Sequence, residues 1–197
     1  MANNCYYRMR VRGTRDDVAD FIKVIQCDYN YTNNTFTFDR HLSRVFEACV
    51  EDVEDDNEQS TTITISGDCA WSVYSCMMEG EHTYFNDDKN NPNSQRSSLI
   101  IESKLLNLEI EVYSEETGCE FQEHFIIKNG EVLENDCVKY QEFYYDGEFD
   151  EELGITDDEI TQELVDRINE EYNTDFEVDD YDGDYFRKGG FEWTFEF

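Results

Sequence analysis

Apolar residues along the chain either alternate with polar ones or recur every three to four positions, and these two periods separate strands from helices. Residues 5–12 alternate: Tyr7, Met9 and Val11 fall on one side, Tyr6, Arg8, Arg10 and Arg12 on the other. Gly13 ends this strand, and Thr14 is placed to cap a helix with Val18, Phe21, Ile22 and Ile25 on one face. A polar, hairpin-like segment follows around TFTF at 35–38. A second helix is expected from about His41, because Leu42, Val45, Phe46, Cys49 and Val53 keep helical spacing; the acidic run EDVEDDNEQS (51–60) then reads as a loop. TTITIS at 61–66 predicts a strand with Ile63 and Ile65 inward, broken at Gly67-Asp68. CAWSVYSCMM (69–78) reads as an aromatic junction that starts a helix, and 79–98 as a polar loop. SLIIESKLLN (98–107) predicts a helix. LEIEVY (108–113) predicts a strand with Leu108, Ile110 and Val112 inward and Glu109 and Glu111 outward. CEFQEHFII (119–127) and the residues from Val132 to Tyr145 form a hairpin about the Asn129-Gly130 turn.

The last quarter, 146–197, has its own pattern. Thr156-Asp157-Asp158-Glu159 has the spacing of a capping box, followed by Ile160, Leu164, Val165, Ile168 and Tyr172 on one helical face, with Asn173 as the stop. The opposite face carries Glu159, Glu163, Asp166 and Glu170. WTFEF (193–197) alternates like a final strand, and Val178, Phe186, Phe191, Trp193 and Phe195 point to packing rather than a disordered tail. The pattern as a whole predicts an α+β protein, divided into a domain over 1–142 and an acidic helix-and-strand subdomain over 143–197 packed on it.

Charge adds the main functional hint. The chain has 48 Asp and Glu against 15 Lys and Arg, a formal net charge of −33. The segment 146–197 holds 20 of those acids against three bases, Arg167, Arg187 and Lys188. Such a balance opposes direct binding to nucleic acid or an anionic membrane and favours a basic partner. A halophile's acidic surface is the competing explanation, and seven Cys with abundant Ile, Asn and Tyr argue against it. No stretch approaches the ~20 apolar residues of a membrane span, and the N-terminus lacks the apolar core of a signal peptide, so a cytoplasmic protein is expected.

Candidate chemistry is sparse. Cys5, Cys27, Cys49, Cys69, Cys76, Cys119 and Cys137 are odd in number, scattered and without a CxxC pair, which suits reduced, mostly buried thiols better than disulfides or zinc. His41, His82 and His124 make no metal-binding spacing. A Cys–His pair formed only in the fold stays open. The run Asp179-Asp180-Tyr181-Asp182-Gly183-Asp184 is the best candidate for a hard cation, but it fails the EF-hand pattern, and an acidic turn fits it better. No catalytic residue, metal or cofactor is assigned. The row Arg8, Arg10, Arg12 reads either as a face for single-stranded nucleic acid or as a ladder to Glu109 and Glu111 on a neighbouring strand.

The order of these elements resembles the YubB-type ferredoxin-like family of plasmids, phages and integrative conjugative elements. The resemblance covers about residues 1–140. It rests on the Ala70-Trp71-Ser72 junction, the leucine-rich helix at 98–107 and EVYSEETGCEFQEHF at 111–125. It implies a ferredoxin-like antiparallel sheet with helices on one face, to which the acidic C-terminal helix and strand are an extension. It implies no catalytic residues. The mobile-element setting and the charge together lead, by analogy, to an anti-CRISPR inhibitor whose acidic surface mimics DNA and blocks the basic groove of a nuclease such as Cas9. An anti-restriction DNA mimic, or a regulatory interaction protein without mimicry, is the alternative; an acid-metal nuclease is the weakest reading. The expected partner-binding residues are Glu148, Asp150, Glu151, Glu152, Glu159, Glu163, Asp166, Glu170, Asp179, Asp180, Tyr181, Asp182, Asp184 and Tyr185.

Overall fold

The computed structural model describes residues 3–33, 35–57, 59–78, 93–145, 147 and 160–197, with backbone alone at 56–57. Strand β1 (Asn4–Gly13) leads through Thr14, whose side chain accepts from the Asp17 amide, into helix α1 (Arg15–Ile25). Short strands β2 (Tyr29–Asn30) and β3 (Thr35–Phe36) pair with each other. β4 (Arg40–His41) pairs with β7 (Gln95–Arg96). Between them lie β5 (Cys49–Asn57) and β6 (Ser60–Ala70), followed by a π-helical turn over Tyr74–Met78. Helix α2 (Leu99–Leu105), capped by Ser98, precedes β8 (Glu109–Glu116), β9 (Phe121–Lys128) and β10 (Glu131–Tyr144). Helix α3 (Gln162–Tyr172), a 3-10 turn at Val178–Asp180 and β11 (Tyr185–Gly189) complete the described elements.

The protein is α+β, built on a seven-stranded sheet in the order β11-β10-β9-β8-β1-β6-β5, with every neighbouring pair antiparallel. The alternation in β1 places Tyr7, Met9 and Val11, all 0% exposed, in one core with Ile63, Ile65, Leu108, Ile110 and Val112. Val18, Phe21, Val24 and Ile25 of α1 and Leu99 of α2 join the same core. A second cluster gathers Leu164, Val165 and Ile168 of α3 with Phe176 and Phe186. The expected division at 142/143 falls within β10, whose last residues pair with β11.

Several expectations are corrected. The helix from His41 does not form: 42–48 is irregular and 49–57 is the edge strand β5, so the acidic run is strand rather than loop. Pairing with β6 satisfies its backbone groups, and a strand lets Glu51, Glu54 and Asp55 reach arginines, whereas a helix would crowd those acids at three- and four-residue spacing. Gly67-Asp68 does not break β6. Glycine is needed there because a Cβ would run into the Glu47 carbonyl oxygen, which lies close to the strand and also accepts from the Tyr7 hydroxyl (2.8 Å). The junction after Ala70 makes one π-helical turn, with Trp71 at φ 66°. Helix α3 is capped by Thr161 rather than Thr156: its side chain accepts from the Leu164 amide (3.2 Å), leaving Ile160 outside the helix. Asn173 does stop it, in the left-handed region at φ 54°. The capping box at 156–159 lies outside the described residues.

The second face of the sheet is also covered. Residues 191–197 form no strand but run over β1 and β8 as a strap. Trp193 stacks on Tyr6 and Tyr113 (ring centroids 5.7 and 5.8 Å), Phe195 lies edge-on to Tyr113 (5.4 Å), and the Arg12 guanidinium sits 4.5 Å from the Phe197 ring. The Tyr113 hydroxyl donates to the Thr194 carbonyl (2.9 Å), and the Glu196 amide donates to Glu111 (2.7 Å). Glu111, expected to face outward to solvent, is therefore 0% exposed.

Candidate functional site

The acids come to the surface because the apolar residues between them are drawn inward. In α3, burial of Leu164, Val165 and Ile168 turns Glu163, Asp166, Glu170 and Glu171 out to solvent, with Arg167 among them. The last turn of the helix carries no base. Glu170 and Glu171 therefore sit at the negative end of the helix dipole, where an acid is unfavourable by a few tenths of a kcal/mol. Asn169 locks the turn beyond: its side chain donates to the Phe176 carbonyl (2.9 Å) and accepts from the Phe176 amide (2.8 Å). The acidic face is thus held on a rigid helix.

Past the helix, acids hold the backbone in place. Asp180 accepts from the Glu177 amide (2.8 Å), closing the capping box of the 3-10 turn. Asp182 accepts from the Tyr185 and Asp184 amides (2.9 and 3.1 Å), which hold its carboxyl below the usual range. Asp179 and Asp184 are exposed. Tyr181 packs against Phe186 (5.0 Å) in the second core, and Tyr185, 39% exposed, sits beside the exposed Tyr144 (5.2 Å). Of the expected partner-binding residues, Glu163, Asp166, Glu170, Asp179, Asp180, Tyr181, Asp182, Asp184 and Tyr185 thus lie on one unit of the fold. Glu148, Asp150, Glu151, Glu152 and Glu159 lie outside the described residues.

Among the described residues, many of the bases are paired with the chain's own carboxylates. Arg12 pairs with Glu109 at 2.6 Å, as the ladder reading expected. Arg8 and Arg10 instead reach past the small residues of β6 to Glu51 (3.0 Å) and Glu54 (2.8 Å) on β5, and Arg15 reaches Asp55 (2.6 Å). Arg187 pairs with Glu115 (2.6 Å) and Glu142 (3.3 Å), and Lys188 lies near Asp175 (3.5 Å) and Glu177 (3.7 Å). Arg40 meets the fully buried Glu102 at 3.0 Å. The arginine row is therefore paired with carboxylates and overlaid by Phe195 and Phe197.

The thiols are less buried than expected: Cys5, Cys69 and Cys76 are in the core, but Cys49, Cys119 and Cys137 are exposed. Hydrogen bonds with Glu47 and Glu116 push the Cys49 and Cys119 thiols up, and partial desolvation of the sulfur, with the charge of Glu123, does the same at Cys137 although the residue as a whole is exposed. A thiol held up in this way forms less of the reactive thiolate. His41 Nδ1 lies 2.9 Å from Ser94 Oγ, and His124 lies between Glu111 and Glu134. His82 is outside the described residues. Glu123 is buried, with its carboxyl raised by that burial; it accepts from Ser114 Oγ (2.8 Å) and the Val73 amide (2.9 Å), tying the π-helical turn to β9.

Sequence reasoning missed one group: His124 on β9 with Glu134 and Asp136 on β10, whose ligand atoms all lie within 4.8 Å of one another. Their spacings of ten and twelve match no short metal motif; the signal available was the hairpin register about Asn129-Gly130, which sets His124 opposite Asp136. Among the described residues, no helix is long and apolar enough to cross a membrane. In comparisons with known proteins, no family model matches the chain, and neither a curated protein nor a solved structure matches it.

Proposed function

We propose that the protein is an anti-defence inhibitor of a mobile element, most concretely an anti-CRISPR protein whose acidic surface occupies the basic nucleic-acid groove of a nuclease such as Cas9, with a restriction enzyme as the second target. The observation that carries this reading is the pairing of the bases. Arg8, Arg10, Arg12, Arg15, Lys23, Arg40, Lys128, Arg187 and Lys188 are all engaged with the chain's own carboxylates, so the negative excess is left on the outside. Carboxylates on α3 and the adjoining turns stand in for phosphates and offer Lys and Arg partners without duplex unwinding. Duplex DNA presents one charge per about 1.7 Å, so only a dense, rigid set of acids competes with it.

The kinship with the YubB-type family belongs to the same proposal. It is supported by the succession β1-α1-β5-β6-α2-β8 with strand order β8-β1-β6-β5, the βαββαβ arrangement of a ferredoxin-like unit. A regulatory interaction protein without mimicry is the second reading. It is favoured by exposed apolar side chains such as Phe46 (55%), Leu105 (62%) and Leu133 (56%), surface that a partner need not be basic to cover.

The test is capture of Cas9–guide complex and of a restriction enzyme by the tagged full chain, with duplex DNA as competitor and a salt series. Retention that DNA displaces and salt strips off is the expected result. Capture that neither DNA nor salt affects overturns mimicry and leaves the second reading.

A further inference from the structure

His124 is built like a metal ligand. Its ring is stacked on Tyr113 (centroids 4.1 Å apart, planes 10° apart) and its side chain is only 9% exposed. Nε2 lies 3.1 Å from Oε1 of Glu111, a carboxylate that is itself 0% exposed and whose Oε2 accepts the Glu196 amide. A carboxylate oxygen only accepts, so the tautomer that satisfies this contact carries its N–H at Nε2. The other ring nitrogen, Nδ1, lies 3.4 Å from Glu134 Oε2, and Asp136 completes a cluster whose ligand atoms all lie within 4.8 Å of one another. One imidazole nitrogen and two carboxylates converging on a point form a donor set for a cation. A histidine that gives its other N–H to a buried carboxylate is the recurrent support of a ligating imidazole, because that bond sets the tautomer and raises ring basicity.

The backbone supplies the convergence. Asp136 is directly opposite His124 across the β9–β10 hairpin, and a register shift between Val132 and Glu134 brings Glu134 to the same side. The Glu134 side chain is 43% exposed and Asp136 is exposed, so an ion has access from solvent. One imidazole with two carboxylates suits a borderline divalent cation better than calcium or magnesium, which take oxygen ligands.

We propose that His124 Nδ1, Glu134 and Asp136 bind a divalent transition-metal ion of the zinc type, with water in its remaining positions and Glu111 as the positioning residue. The site lies at the strap, because Phe191 packs against His124 and Glu196 holds Glu111.

The experiment is titration of the chelator-treated full chain with Zn²⁺ in excess Mg²⁺, which masks ordinary surface carboxylates, followed by nitrogen-detected NMR of the histidine rings. One equivalent of Zn²⁺ should bind and shift the His124 Nδ1 resonance. Asp136→Asn, at an exposed position that does not threaten the fold, should weaken binding at least tenfold, and Glu111→Gln by about 10–100-fold. Asp179→Asn, and joint replacement of Cys49, Cys119 and Cys137 by Ser, should leave binding unchanged. The proposal fails if Asp136→Asn binds Zn²⁺ as well as the parent, if the cysteine variant loses the ion, or if both His124 nitrogens carry protons at neutral pH and Zn²⁺ moves neither. In the last case the cation that the carboxylates face is the imidazolium ring itself.

Discussion

At Gly67 the missing side chain is what β6 requires. The Glu47 carbonyl oxygen occupies the space a Cβ would need, and that oxygen also receives the Tyr7 hydroxyl. Gly67→Ala should therefore force the 44–48 segment off the sheet and cost about 1–3 kcal/mol, the usual penalty of overpacking, read as a lowered unfolding midpoint. Glu109 makes a pH-dependent contribution. Burial alone would raise its carboxyl, but hydrogen bonds and charge from Arg12 and Lys128 outweigh burial and hold it below the ordinary value. A depressed carboxylate adds stability that is fully present above its unfolded pKa and is lost as pH falls through the folded one. Glu109→Gln should thus lower stability at neutral pH and flatten the loss between about pH 5 and the acid limit, measured by denaturant unfolding at several pH values.

The element that most changes the molecule's character is the strap at 191–197. Its alternation of Trp193, Phe195 and Phe197 reads like a strand, yet it joins neither edge of the sheet. The β11 edge is at one end and β5 at the other, while the strap lies over the middle strands by stacking and by hydrogen bonds from its backbone at Phe191, Thr194 and Glu196 to the side chains of Gln122, Tyr113 and Glu111. Replacing Trp193 and Phe195 together by Ala should release it at a cost of about 1–3 kcal/mol, from the 1.5–3 kcal/mol of a fully buried large side chain discounted for partial exposure. Hydrogen exchange of the Glu196 amide should then become fast while the core amides of β1 and β8 stay protected. Unchanged protection at Glu196 would show that the aromatic stack is not what holds the strap. Helix α3 is the opposite case. Its apolar stripe and its Asn173 stop were legible in the chain, but its start was not. Thr156 and Thr161 are both competent caps, and which one begins the helix depends on where Leu164 must sit to meet Phe176 and Phe186.

For the whole molecule, net charge of −33 on an ordered chain means self-repulsion that folding must overcome. Salt should relieve that repulsion and stabilise the protein even as it weakens binding to a basic groove, since screening reaches about 8 Å at physiological ionic strength. Glu163→Gln, Asp166→Asn and Glu170→Gln together should leave the fold intact and weaken capture of the target about tenfold, taking 0.2–1 kcal/mol for each exposed pair. Full affinity in that folded variant would take α3 out of the interface.

Periodicity alone determined the strands over β1, β8 and β9, the helices α1 and α2, the Asn129-Gly130 hairpin and the acidic face of α3. In each of these the side-chain period and the local turn or cap chemistry point to the same structure. Composition alone determined the sign of the surface. Tertiary structure decided the rest, because the deciding partners are distant in the chain. Cys49–Asn57 is a strand since β6 has an edge to offer and Arg8, Arg10 and Arg15 have charges to match. The arginine row is a ladder to carboxylates since Glu109 stands beside Arg12 on β8 and the partners of Arg8 and Arg10 arrive from β5, two strands away. Glu111, His124, Glu134 and Asp136 meet since the register of three strands and a seven-residue strap bring them together. A spacing rule cannot see contacts made across a sheet, where the separation along the chain is set by hairpin length rather than by the chemistry of the residues that meet.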